Sequence, residues 1–236
     1  MARKKVVLFI VEGINDKTCL ESVLRKIINS NEVSFQITEG DITSKNGMNE
    51  FKICTEIGKI VKSFKDKYHL KPEHFMEVVH IIDTDGAFID DSSVTYADVE
   101  ETQYFDDGIK TKNVDNIVSR NHQKRAIIER MLEISSVLKT VPYHVFYFSS
   151  NMDHVLHGKA NMDQEDKNQF ADRFEDQYAE DPKGFLKLMC ESAFTVNGTY
   201  EESWEYIKAD NNSVCQHCNF SVYLEQYRAM TPPPSK

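Results

Sequence analysis

No stretch of this 236-residue sequence holds the roughly 20 consecutive apolar residues that cross a bilayer. The basic start, Met1-Ala-Arg-Lys-Lys, leads into an apolar run that ends at Val11 and is broken by Glu12, too short for a signal peptide. A cytoplasmic location without membrane contact is therefore expected. Five cysteines, at 19, 54, 190, 215 and 218, form an odd set without framework spacing, which suits a reducing compartment. There is no glycine-rich phosphate loop of the Walker kind, so ATP hydrolysis by this chain is not expected. Positive charge is also short: 28 Lys and Arg stand against 38 Asp and Glu, a net −10. Phosphate neutralisation dominates affinity for nucleic acid, so the global charge argues against tight, non-specific coating of DNA and not against a nuclease. Any such ligand would need a local basic patch, a metal ion or a partner.

What is present is an ordinary globular composition, 40% hydrophobic and 28% charged. The first 150 residues alternate strand-like and helix-like patterns. Val6 to Val11 is a continuous apolar run, the mark of a strand buried on both faces. Leu20, Val23, Leu24, Ile27 and Ile28 then predict a helix over 16–29, with Asn15 or Asp16 as its cap. A short strand is expected at 33–38, a helix through Phe51, Cys54, Ile57, Val61 and Phe64, and a strand at 77–82. Residues 87–116 are polar and lack periodicity, and read as one long loop. Ala126, Ile127, Met131, Ile134 and Leu138 mark a third helix, and 143–149 a fourth strand. This alternation predicts an α/β fold: an open parallel sheet of about four strands with helices on both faces. The division expected is an α/β core over 1–150, a helical extension over 151–230 packed on it, and a disordered tail over 231–236. In the extension, Asn151 or Ser150 caps a short helix, and Phe170, Phe174 and Tyr178 recur at helical spacing. Asp181-Pro182 opens another helix, and Trp204 with Ile207 marks one more.

The acids carry the chemical signal. Glu12 follows one buried strand, in Phe9-Ile-Val-Glu-Gly, and Asp83 and Asp85 follow another, in His80-Ile-Ile-Asp-Thr-Asp-Gly. Ligands of open parallel sheets bind beyond the carboxyl ends of the strands. If the two strands are neighbours, three carboxylates meet there, and their repulsion is relieved by a hard divalent cation such as Mg²⁺ or Mn²⁺. Taken singly, Asp-Thr-Asp-Gly is also good turn chemistry; two such motifs on one sheet favour the cation.

Val11-Glu12-Gly13 followed by Asp83-Thr84-Asp85-Gly86, with helix, strand and helix between, resembles the Toprim superfamily over roughly residues 4–150. That superfamily includes topoisomerases, bacterial primases, OLD-family nucleases and small Toprim ribonucleases. The resemblance implies Glu12 as general acid/base or metal ligand, and Asp83 and Asp85 as holders of Mg²⁺. Asp16 matches the Glu-x-x-x-acid pattern of OLD-type nucleases, which implies a second ion, although Asp16 serves equally as a helix cap. The segment from Phe148 to Lys159 resembles the part following the last core strand in nuclease-like members. It implies Asp153 as a further ligand and Lys159 as a transition-state charge clamp. The expected activity is metal-dependent hydrolysis of phosphodiester bonds in RNA, such as tRNA, or in DNA. The resemblance also implies a role in antiviral defence, an ATPase partner protein, and self-association as one arrangement. The breakage-reunion domains of a topoisomerase and the further domains of a primase are not recognisable.

Arg120, His122, Lys124 and Arg125 form the clearest basic cluster, joined by Lys110 and Lys112. They read either as the nucleic-acid-binding patch or as a solvated helix face. Cys215-Gln-His-Cys218 matches half a zinc site, but Cys215, Cys218 and Val222 share a helical face, which favours simple burial. One alternative is a haloacid-dehalogenase-like phosphatase with Asp83 as nucleophile, Asp85 as acid, Ser149 on phosphate and Lys159 as clamp, a reading that leaves Glu12-Gly13 unused. Another is a non-catalytic Toprim module that binds a partner.

Overall fold

The computed structural model describes residues 6–28, 33–38 and 40–230. The expected tail, 231–236, lies outside them. In chain order the elements are β1 (Val6–Val11), α1 (Ile14–Ile27), β2 (Val33–Ile37), α2 (Glu50–Lys67), β3 (Phe75–Asp83), β4 (Val94–Tyr96), β5 (Gln103–Phe105), β6 (Gly108–Thr111), α3 (Val114–Leu132), β7 (Ser136–Val137), β8 (Val141–Phe148), α4 (Met152–His157), α5 (Gln164–Tyr178), α6 (Pro182–Glu191), α7 (Tyr200–Lys208) and α8 (Phe220–Met230).

Five strands make the main sheet, in the order β2-β1-β3-β8-β7. The first four run parallel, and β7 closes the edge antiparallel to β8. The fold is thus α/β with a largely parallel sheet, one strand larger than the sequence predicts. Leu138, which the sequence places at the end of a helix, forms with Lys139 the left-handed turn that joins β7 to β8.

β1 explains why the sheet is buried on both sides. Val7, Phe9 and Val11 pack with α1, α5, α6 and α8, whereas Leu8 and Ile10 pack with α2, α3 and α7. Each such buried side chain contributes about 1.5–3 kcal/mol relative to exposure. The segment after residue 150 packs α5 and α6 against α1 and α8 against β8: Phe174, Phe185 and Phe220 join the first core, and Trp204 joins the second, its ring 4.9 Å from that of Tyr147. Asn151, Asp163, Asp181 and Thr199 cap α4 to α7 through their side chains.

Residues 87–116 are not one loop. They carry a second sheet, in the order β4-β6-β5, over a small core of Ile89, Val94, Ile109 and Val214, and α3 begins at Val114. Cys215 to Cys218 are not helical either; Cys218 bridges Phe148 and Thr195 just before α8. No helix among the described residues is long and apolar enough to cross a membrane.

Candidate active site

β1 and β3 are hydrogen-bonded neighbours, so the residues that leave their carboxyl ends are brought together. Glu12 Oε1 accepts the backbone N–H of Asp83 at 3.2 Å, and Asp83 Oδ1 accepts the N–H of Met152 at the start of α4 at 3.0 Å. α1 begins directly after Gly13, which is its N-cap, and Asp16 Oδ2 accepts the Gly13 N–H at 2.8 Å. Asp16 therefore closes the helix from inside its first turn instead of standing as the cap, and it lines the cleft as well.

The loop after β3 turns left-handed at Asp85 (φ 48°), and the loop after β8 does so at Ser150 (φ 55°). Such backbone persists only where surrounding bonds hold it. Here Asp85 N–H donates to Ser150 O, and the carbonyl of Ser213 accepts from Thr84 Oγ1, Gly86 N and Ser150 N. A strap from the C-terminal segment thus fixes both loops under the carboxylates.

Two adjoining clefts share Asp83 and Lys167. The first, about 310 Å³, is lined by Glu12, Gly13, Asp16, Asp83, Asp153 and Lys167. The second, about 510 Å³, runs over Asp83 and Asp85 between Tyr104 and Asn161. Its walls are clipped together: Asn161 Oδ1 accepts the Tyr104 N–H and Asn161 Nδ2 donates to Tyr104 O, both at 2.8 Å, as a neighbouring strand would. Another cavity of about 510 Å³ opens at the opposite end of the sheet, near Tyr143, His144 and Tyr200, remote from these acids.

The electrostatics divide the acids in two. Lys124 is fully buried, its Nζ 2.7 Å from Asp41 Oδ2 and 2.6 Å from Asp85 Oδ2. Burial alone would lower the Lys124 pKa and raise that of Asp41. Their mutual attraction reverses both, with Asp85 and Glu12 adding to it for Lys124 and hydrogen bonds from Ser44 and Thr43 for Asp41, so Lys124 stays protonated and Asp41 ionised. Glu12 and Asp83 behave oppositely. Burial lifts Glu12 well above the ordinary carboxylate range, and Asp41, Asp83 and Asp85 add repulsion that Lys124 only partly offsets. Asp83 is lifted by burial, then by Asp16 and Asp85. Burial also raises Asp16, from 3.8 to about 6.

Of the residues expected at the site, Glu12, Asp16, Asp83 and Asp153 line the first cleft, and Asp85 lies beside it, held by Lys124. Lys159 does not join them: it is exposed, with Nζ 4.8 Å from the centre of the Phe170 ring. Lys167 takes the nearby place, 3.4 Å from Asp153. The expected basic patch on α3 faces inward. Arg120 donates to Asp85 O and Tyr104 Oη at 2.7 Å, Arg125 holds the carbonyls of Ala87 and Ile89, and Lys124 is enclosed. Ser149 is buried with Cys215 O and the His217 N–H, so its hydroxyl is committed to the backbone. Asp41, Lys167, Tyr104 and Ser213 are participants that the sequence pattern does not reveal.

The donors fit a hard divalent cation in kind: four carboxylates face one ammonium, and burial makes their negative charge costly. As they stand, no three His, Cys, Asp or Glu side chains among the described residues are gathered tightly enough to hold an ion. Glu12, Asp16 and Asp83 spend oxygens on backbone N–H groups, and coordination requires them to turn towards a common point. The chain matches no protein-family profile, no curated protein and no solved structure.

Proposed function

We propose that this chain is a metal-dependent nuclease of Toprim type that hydrolyses phosphodiester bonds of nucleic acid. The observation that carries the reading is the meeting of Glu12 and Asp83 at the carboxyl edge of adjacent parallel strands, joined by the Glu12–Asp83 backbone bond. Turn chemistry alone does not account for four half-buried acids around one cleft, two of them lifted well above their usual range. Glu12, Asp16, Asp83 and Asp153 would hold Mg²⁺ or Mn²⁺, which supplies charge stabilisation and an acidified water when bound.

The chain's own groups do the rest. Glu12, which burial and the neighbouring acids lift above the ordinary carboxylate range, is the group suited to proton transfer. Lys167 places a positive charge beside Asp153, where a phosphate oxygen entering the cleft gains from it. Tyr104 and Asn161 form a polar wall that orients what lies over Asp83.

The test is cleavage of plasmid DNA, single-stranded DNA and total tRNA with Mg²⁺, Mn²⁺ or chelator, alongside Glu12→Gln and Asp83→Asn. Either substitution is expected to lower the rate by at least about 10³-fold, in the range of removing an electrostatic or acid–base group. Cutting that survives chelator, or that ignores both substitutions, refutes the proposal.

A further inference from the structure

Seven of the 28 basic residues lie between 45 and 71, against three carboxylates, which makes this stretch strongly positive in a chain of net charge −10. Five of the seven are on α2. Ile53, Ile57, Val61 and Phe64 turn one side of that helix into the core, while Lys52, Lys59, Lys62 and Lys67 are exposed on the other. Among the described residues, no ion pair ties these lysines to another element; Lys59 pairs with Glu56 and Lys65 with Asp66, both on α2 itself. An aromatic ring stands at each end of the row: Phe51 is 83% exposed and Tyr68 is 53% exposed, with Lys67 Nζ 5.3 Å from the centre of the Tyr68 ring. Tyr68 leans on Phe64, ring centres 4.7 Å apart, with about half its surface open, while Phe51 stands in water, which a merely solvated helix face does not need.

Topology ties this face to the acids. β2 and β3 both run parallel to β1, so the helix that connects them returns against the strands and begins at the carboxyl edge of the sheet. The loop before α2 starts from the cleft itself, where the Gly40 N–H donates to Glu12 O at 3.0 Å. From Phe51 to Tyr68 the row extends about 25 Å along the helix, at about 1.5 Å per residue. Lysines spaced along a groove or ridge, with aromatic faces for bases, are how proteins hold single-stranded nucleic acid without reading its sequence.

We propose that the outer face of α2 is the docking surface for a single nucleic-acid strand, with Phe51 and Tyr68 stacking bases and the four lysines neutralising phosphates. The strand's path from Phe51 into the Glu12–Asp83 cleft rests on the nuclease reading; the binding surface does not. This face takes the role that the inward-turned α3 residues cannot.

The experiment is fluorescence anisotropy of short labelled single-stranded RNA and DNA, and of a duplex, with the full chain in chelator over a series of salt concentrations. The chain with Lys52, Lys59, Lys62 and Lys67 all changed to Gln should bind single strands at least about tenfold more weakly at low salt. Its slope of log affinity against log salt should be shallower by about 3, since each phosphate contact on a single strand contributes about 0.7. Changing the same four residues to Arg should restore both, and circular dichroism melts of all forms should coincide. Phe51→Ala with Tyr68→Ala should weaken single strands and leave the duplex unchanged. An unchanged slope in the Gln variant, no single-strand binding by the native chain, or indifference to Phe51 and Tyr68 each overturns the proposal. If the lysines govern binding yet no metal supports cutting, the nuclease reading falls and the docking surface stands. If metal supports cutting yet the slope is unchanged, the docking surface falls and the nuclease reading stands.

Discussion

Replacing Lys124 with Met nearly preserves the volume of a fully buried side chain and removes the ammonium that is bonded to both Asp41 and Asp85. Breaking one side of a buried ion pair costs about 3–5 kcal/mol, because the partner is left uncompensated. Asp41 and Asp85 keep 16% and 23% of their surface in water, so the lower end, about 3 kcal/mol, is expected here. For a chain of this size that is a fall in Tm of roughly 6–12 °C. The sign of the pH dependence follows from Asp41, whose pKa Lys124 and its hydrogen bonds depress against the effect of burial. A depressed carboxylate contributes stability that is present above its unfolded pKa and lost as pH falls through the folded one. In the variant that contribution is absent from the start. The gap between native and variant should be widest near about pH 7.5 and narrow towards about pH 4, because burial raises the acids left without a counter-ion in the variant and they protonate there, while native Asp41 stays ionised. Urea unfolding in chelator at the two pH values measures it, and adding Asp41→Asn to the variant should recover part of the loss. A variant within about 1 kcal/mol of native at neutral pH, or a gap that grows in acid, would refute the claim that Lys124 is the internal counter-ion of these acids.

Asp16 has the opposite sign: a folded pKa raised from 3.8 to about 6 makes the folded state bind more protons, so stability in chelator should fall as pH rises through that window. Asp16→Asn should flatten this slope, and the rise in Tm given by Mn²⁺ should fade below about pH 6 in the native chain as the carboxyl protonates. Gly86 has φ +69°, and a Cβ there would lie 2.5 Å from Val214 Cγ1 and 3.0 Å from Ile109 Cδ1. Gly86→Ala should therefore cost about 2–4 kcal/mol in urea unfolding, from left-handed strain and overpacking together. Asn161→Ala should leave global stability within about 1 kcal/mol, because the lost bonds are exposed. Hydrogen exchange at the Tyr104 amide should nonetheless speed up, since that N–H loses its acceptor.

The acids at strand ends were legible because the residues leading up to them, Val7 to Val11 on β1 and Val78 to Ile82 on β3, are buried, and apolar runs announce such strands and their termini. Cap chemistry placed α4 and α6 for the same reason: Asn151 and Asp181 bond to N–H groups three residues on. The 87–116 segment was not legible. Its strands have three or four residues, outward positions filled by Thr95, Lys110 and Gln103, and a core completed by Val214 from more than a hundred residues away. β7, with two residues, leaves no period to read. Lys124 was misread although its signal was present: it precedes Ile127, Ile128 and Met131 by three, four and seven residues, which puts it on the buried face of α3. Asp41 gave no such signal, because it lies in a loop and gains meaning only from the lysine opposite.

The two groups of acids have different tasks for one physical reason. Like charges at one sheet edge must be neutralised, and a protein can do that with its own cation or by borrowing one. Asp41 and Asp85 have Lys124, positioned by the core-facing side of α3, and Arg120 fastens the backbone carbonyl of Asp85. Their charge is spent on fixing the turn that follows β3. Glu12, Asp16, Asp83 and Asp153 are bonded to no such ammonium: Lys124 offsets the charge of Glu12 and Asp83 only in part, and Lys167 is a helix-surface lysine 3.4 Å from Asp153. The sequence makes Asp83 and Asp85 equal partners in an Asp-x-Asp motif, but β3 ends at Asp83 and the chain turns left-handed at Asp85 (φ 48°), so the two meet different neighbours, one the open cleft and one a buried ammonium. Asp83 is thus the member with unmet charge, and the local imbalance that a divalent cation would relieve centres on Asp83 and Glu12.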